Sequence, residues 1–160
     1  MIKGEAMEKM EVRIAQLEAM RVLSVMGFGK EPEGLAWEKM DAWVKSHPAE
    51  EVLNKPRFFG FNNPEPSPGS PNYGYEIWVQ VGPDVQSEGE YVVKEFGGGL
   101  YAVTRCQGVE NIYNTWQKFV AWIETSPYTS ARHQWLEEFV VGGSVPPEDL
   151  VLDLWLPIKQ

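Results

Sequence analysis

From Val12 to Gly29 the chain reads VRIAQLEAMRVLSVMGFG, with apolar positions at Val12, Ile14 and Leu17 and again from Val22 to Val25, broken near Glu18 and Ala19. Such short runs predict two strands joined by a tight connection. Beyond Gly29 the period changes. Glu31, Pro32 and Glu33 have the proline and the acidic side chains that suit a helix's first turn, and Trp37, Met40, Trp43 and Val44 follow at spacings of three and four. An amphipathic helix over Leu35 to Ser46 is expected, ended by His47-Pro48. From Arg57 the pattern is extended again: RFFGFNN, then a connection whose four prolines between Asn63 and Tyr73 exclude regular structure, then YEIWVQVG. In this last run Tyr75, Ile77, Val79 and Val81 alternate with Glu76, Trp78 and Gln80. One face therefore packs on the helix and the other carries a carboxylate and an indole.

A polar connector, Pro83 to Gly89, forms the seam, after which the order recurs. GEYVVKEF and LYAVTRCQG are expected as strands about a Gly97-Gly98-Gly99 hairpin turn, ENIYNTWQKFVAWIETSP as a helix and HQWLEEFVV as a strand. A connection with Gly-Gly and Pro-Pro then leads to the last strand, LVLDLWLPI. Trp37 and Trp116, Trp43 and Trp122, and Pro48 and Pro127 all stand 79 residues apart, as do Lys39 and Lys118, Ala42 and Ala121, and Gly29 and Gly108. The closing strands match at 77, with Glu76-Ile-Trp78 beside Asp153-Leu-Trp155. We read this as an internal duplication, with pseudo-repeats of about 11–82 and 88–159 inside one domain spanning residues 1–160. The expected fold is α+β: a tandem strand-helix-strand-strand unit forming two antiparallel sheets, related by a pseudo-twofold axis, with a ligand cleft between them.

The candidate chemistry centres on HQWLEEFVV. As a strand it would set Trp135, Glu137 and Phe139 on one face, an aromatic wall either side of a carboxylate. The ordinary reading of an alternating strand with one Glu is a sheet with a wet face. The duplication argues for more. At the offset of 79 the partner of Glu137 is Phe58, so the second half places an acid where the first has a ring, and such broken symmetry is where a grafted site is expected. Trp78 and Glu76 from one half and Trp155 and Asp153 from the other should converge on the cleft. Tyr101, Tyr113 and Trp116 either face it or pack the second helix on its sheet, and core packing is the simpler account of Trp37 and Trp116. A carboxylate among rings is costly to keep ionised unless a cation compensates it, and a delocalised cation gains about 0.5–2 kcal/mol per good cation–π contact. The same group would suit a general acid or base acting on a strained electrophile.

Composition narrows the classes. Seven Trp, six Tyr and seven Phe make the chain 12% aromatic, enough to line a cavity as well as fill a core. With 14 Lys+Arg against 23 Asp+Glu, the net charge of −9 argues against a nucleic-acid partner and favours a cationic small molecule. The single cysteine, Cys106, excludes an internal disulfide framework and reads as a small core residue. Beside it stand only His47 and His133, both expected to be exposed, so neither a metal site nor a cofactor is expected. The three glycines do not form a phosphate loop, because a strand follows them. The N-terminal stretch is broken by charges every two or three residues, unlike a signal peptide or membrane span, which places the protein in the cytoplasm.

FGGGLYAV (Phe96 to Val103), GFNNP (Gly60 to Pro64), the helix ending in VAWI, and the paired closing strands YEIWVQV and LDLWLPI together resemble the GyrI-like domain. That domain is also met as the effector-binding part of multidrug-responsive bacterial regulators. The resemblance runs from about Val12 to Lys159. It implies a hydrophobic cleft for bulky, often cationic, aromatic drugs and a buried glutamate on the penultimate strand, which falls on Glu137. It also implies a stand-alone member, since nothing in Met1 to Glu11 could serve as the DNA-binding region that some regulators carry in front. The expected function is drug or toxin sensing or sequestration by a monomer or homodimer, with no membrane partner. Ligand contacts are expected from Glu137, Trp135, Phe139, Trp155, Trp78, Asp153, Phe58, Tyr101 and Tyr113. Two alternatives stay open: a hydrolase of cyclopropanoid electrophiles with Glu137 as its catalytic group, and a protein-interaction role such as topoisomerase inhibition.

Overall fold

A computed structural model describes residues 10–47, 55–141 and 145–160. Among the described residues nine strands run in chain order: β1 (Arg13–Leu17), β2 (Met20–Gly29), β3 (Phe58–Asn62), β4 (Tyr73–Gln80), β5 (Val92–Phe96), β6 (Gly99–Gln107), β7 (Thr129–Ser130), β8 (Leu136–Val141) and β9 (Val151–Lys159). Helix α1 (Pro32–Ser46) lies between β2 and β3, and α2 (Ile112–Trp122) between β6 and β7. The fold is thus mixed α/β with antiparallel strands and few helices. Pro48, Gly142 and Gly143, which figured in the sequence reading, lie outside the described residues.

The chain divides into two compact units. The first holds Glu18–Gly98 with Leu136–Phe139. Its strands are ordered β8-β3-β4-β2-β5, every neighbouring pair antiparallel. Helix α1 forms where expected: Pro32 occupies its first turn with Glu33 beside it, Lys45 closes the last turn, and Pro32, Ala36, Met40 and Trp43 make its buried stripe. It lies on β2 and β4, where Leu23, Val25, Tyr75, Ile77, Val79 and Val81 form the core under it. Gly27 permits that approach, because a side chain there would run into the backbone of Pro32 and Ala36. His47, expected to be exposed, is half-buried. Its ring stacks on Trp43 at 4.1 Å, with Nδ1 2.7 Å from the Trp43 carbonyl, and so meets one of the helix's unpaired carbonyls.

The second unit holds residues 10–17, Gly99–Trp135 and Val140–Gln160. Here β6 pairs with β1 on one side and β9 on the other, and β9 also pairs with β7, all antiparallel. Leu152, Leu154, Leu156 and Ile158 on β9 are fully buried, as is Phe119 of α2. Cys106 is buried on β6. His133 is likewise half-buried, Nε2 standing 2.8 Å from the Leu100 carbonyl and the ring edge-on to Tyr101 at 4.8 Å.

Two further expectations fail. The Gly97-Gly98-Gly99 segment is not a hairpin turn, because β5 and β6 do not pair with each other: β5 adds to β2 and β6 to β1. Trp135 is not on a strand face with Glu137 and Phe139. The strand starts at Leu136, and the Trp135 ring packs on Trp116 of α2 at 5.4 Å within the second unit.

Candidate functional site

On the α1 side of the first unit, Tyr73 and Tyr75 stand two residues apart on β4 and share a face. Each presents its hydroxyl to a carboxylate. Tyr75 donates to Glu137 of β8 at 2.7 Å, and Tyr73 donates to Glu33 in the first turn of α1 at 2.6 Å. The register makes this reachable: Gly60 lies between Ile77 of β4 and Glu137 of β8. With no side chain at Gly60, the Tyr75 ring can cross it. Burial, then the charge and hydrogen bond of Glu137, push the Tyr75 hydroxyl well above its usual pKa; burial, then the bond to Glu33, do the same for Tyr73. Both phenols therefore remain protonated donors at neutral pH.

Aromatic rings flank these carboxylates. Phe139 lies two residues beyond Glu137 on the same face of β8, and its ring meets Trp37 of α1 edge-on at 5.0 Å. Phe58, two residues before Gly60 on β3, tilts against the same indole at 5.6 Å. All three rings are half-buried. A half-buried acid with a fixed hydroxyl partner and a wall of three rings can hold a cation by charge and by ring quadrupole together.

The opposite face of this sheet treats its acids differently. Glu76 is completely buried and accepts from Ser24 at 2.6 Å, Trp78 Nε1 at 2.6 Å, Lys94 at 2.6 Å and Asn63 at 2.9 Å. Burial opposes its ionisation, but the donors from Lys94, Ser24, Asn63 and Trp78 outweigh it and hold the carboxyl below its usual value. Trp78 is set among Phe61 and Phe96 at 5.0 and 5.3 Å. Glu138 is gripped by Arg57 through two bonds of 2.8 Å.

Of the residues expected to contact ligand, Glu137, Phe139 and Phe58 thus come together on the α1 side, while Trp78 faces the other way. The rest lie in the second unit. Asp153 accepts from Arg105 at 2.9 and 3.2 Å and from Arg13 at 3.4 Å. Trp155 lies under Arg13 and edge-on to Tyr101, whose hydroxyl donates to the Gln134 carbonyl. Tyr113 is 71% exposed on α2 and accepts from Gln117. Sequence reasoning assigned Tyr75 and Trp37 to packing and Glu33 to the helix's first turn, and passed over Tyr73. The available signal was a pair of tyrosines on the helix-facing side of a strand, whose hydroxyls need partners once buried.

Among the described residues no three His, Cys, Asp or Glu side chains are grouped to hold a metal ion. No helix among them is long and apolar enough to cross a membrane.

In the first unit an antiparallel sheet thus carries a helix across part of one face, with an acid and aromatic rings beside it. The chain belongs to the GyrI-like small molecule binding domain family, which it matches over residues 10–159. No curated protein matches the sequence. Solved structures share its fold at low identity, among them the following three. The EcmrR chain of an EcmrR–DNA complex is 12% identical with a TM-score of 0.77, over 99% of this chain and 61% of that one. This chain therefore spans less than two thirds of that EcmrR chain. A hydrolase from Listeria innocua is 14% identical with a TM-score of 0.68, over 99% and 98%. SAV2435 bound to tetraphenylphosphonium is 14% identical with a TM-score of 0.63, over 94% of both chains.

Proposed function

We propose that the protein binds bulky aromatic cations at the Glu137 site, as a sensor or sink for such molecules. One observation carries the reading: the Glu137 carboxylate is oriented by the Tyr75 hydroxyl beside the rings of Trp37, Phe58 and Phe139. A delocalised cation costs less to desolvate than a compact one and meets both charge and ring faces there. SAV2435, which shares the fold, binds a lipophilic cation of this kind. We also read the chain as a tandem duplication in one domain, supported by the constant offset and by the reciprocal strand exchange, in which β1 of the first repeat pairs β6 and β5 of the second pairs β2. The test is a tryptophan-fluorescence titration with tetraphenylphosphonium. Wild type should saturate, and Glu137→Gln should weaken binding at least tenfold, about 1.4 kcal/mol. Equal binding by both proteins would sink the reading.

The hydrogen bond between Glu137 and Tyr75 also supports hydrolysis, since it pairs a carboxylate base with a proton donor at one place. One relative of the same fold is described as a hydrolase. In this reading Glu137 takes a proton from water as the water oxygen bonds to a cyclopropane carbon, the strained C–C bond breaks, and its electron pair is protonated by the proton returned from Glu137. Product formed by wild type and lost in Glu137→Gln supports it, and saturable binding with no product leaves the receptor reading alone.

A further inference from the structure

The α1-side site contains two acids, and one cation answers only one of them. Tyr73 and Tyr75 occupy consecutive same-face positions of β4, about 7 Å apart along the strand, and point their hydroxyls at different carboxylates. Adding the hydrogen bonds at each end sets Glu33 and Glu137 roughly 7 to 12 Å apart. Glu33 comes from α1 and Glu137 from β8, so the site is charged at both ends. Each tyrosine also feels the charge of both acids. Nor does Glu33 resemble the acids of the other face, which carry cationic partners of their own: Lys94 on Glu76 and Arg57 on Glu138. Glu33 is met by a neutral phenol, that of Tyr73, which orients the carboxylate without neutralising it.

We propose that Glu33 is a second anionic anchor, a specificity-determining residue that makes the protein prefer rigid aromatic dications over monocations of the same shape. This rests on the cation-binding reading of the Glu137 site. A monocation on Glu137 leaves Glu33 to be compensated by water and salt, whereas a rigid dication of matching span meets both acids with one loss of rotational freedom. Because Glu33 is only half-buried, screening limits the gain, and a preference of about tenfold is expected.

The probes are N,N′-dimethyl-4,4′-bipyridinium and N-methyl-4-phenylpyridinium, two flat molecules of nearly one shape that differ by one charge. The dication's nitrogens are about 7 Å apart, the length of one same-face step along a strand. Each is titrated into wild type, Glu33→Gln and Glu137→Gln by tryptophan quenching and calorimetry, with tetraphenylphosphonium as reference. Wild type should bind the dication about tenfold tighter, equivalent to about 1.4 kcal/mol. Glu33→Gln should lose that preference, weakening the dication more than the monocation until the two bind alike, and Glu137→Gln should weaken both. Tyr73→Phe, which keeps the Glu33 charge but frees the side chain, should retain part of the preference and guards against a folding defect in Glu33→Gln. Equal affinities in wild type, or a preference that survives in Glu33→Gln, overturn the second anchor. If tetraphenylphosphonium binding depends on Glu137 and yet no dication preference exists, only this inference falls. If no cation binds wild type, the underlying reading falls as well.

Discussion

Replacing Gly60 with alanine tests the link between fold and site, because the perturbation is one methyl group. A Cβ at Gly60 would stand 2.6 Å from Cε2 and Cζ of Tyr75, with its hydroxyl closer still. Carbon atoms pack at about 3.5–4.0 Å, so the ring must retreat by about 1 Å. Tyr75 is fully buried in the core beneath α1, so little room exists for that retreat. A shift of about 1 Å would also carry the hydroxyl out of hydrogen-bonding range of Glu137. Overpacking of this kind costs about 1–3 kcal/mol, and a lost bond to a charged acceptor about 1.5–3 kcal/mol. The two overlap, since yielding in one relieves the other, so we expect about 2–4 kcal/mol less stability. That corresponds to a Tm lower by roughly 5–15 °C for a chain of this length. Urea unfolding followed by tryptophan fluorescence measures the first quantity and tetraphenylphosphonium titration the second, where affinity should fall at least fivefold, about 1 kcal/mol. The double mutant Gly60→Ala/Tyr75→Phe should lose less than the sum of the singles, since removing the hydroxyl removes the worst contact. Gly60→Ala with wild-type stability and affinity, or an additive cycle, would refute the reasoning.

Two further expectations concern pH. The folded-state pKa of Glu76 is depressed, so its contribution is present above the ordinary carboxyl value of 4.5 and is lost as pH falls through the lower folded value. Urea midpoints should therefore decline in acid, and Glu76→Gln should be less stable at neutral pH yet show a flatter acid limb. A parallel decline in both proteins would show that other carboxyls control acid unfolding. At the alkaline end Tyr73, Tyr75 and Tyr101 all have raised folded values, so their contribution is intact below the ordinary value of 10.0 and is lost as pH rises through the higher ones. Spectrophotometric titration should then show fewer than the six tyrosines of the chain ionising near pH 10 while it stays folded. All six ionising there would contradict the burial of these rings.

The sequence by itself determined most of the elements and the faces they present. Period-two runs and the three-four spacing of Trp37, Met40, Trp43 and Val44 are local properties, and β2, α1, β3, β4, β6, α2 and β9 all lie where those patterns put them. Alternation also put Glu137 and Phe139 on one face of β8, and Phe58 meets the same indole as Phe139. Partnership is another matter. A strand's pattern says which face is apolar but not which distant edge it will pair with, so the pairing of β1 with β6 and of β5 with β2 was invisible in the order of elements. The same limit hid Tyr75. Its place in an apolar alternation marked it as packing, and only the passage of its ring over Gly60 turns the hydroxyl to Glu137. Glu76 and Asp153 looked like available acids in the sequence, yet folding surrounds one with four donors and the other with two arginines. Local periodicity is fixed by neighbours a few residues away, whereas the environment of a charge is set by side chains tens of residues away that only tertiary packing brings together.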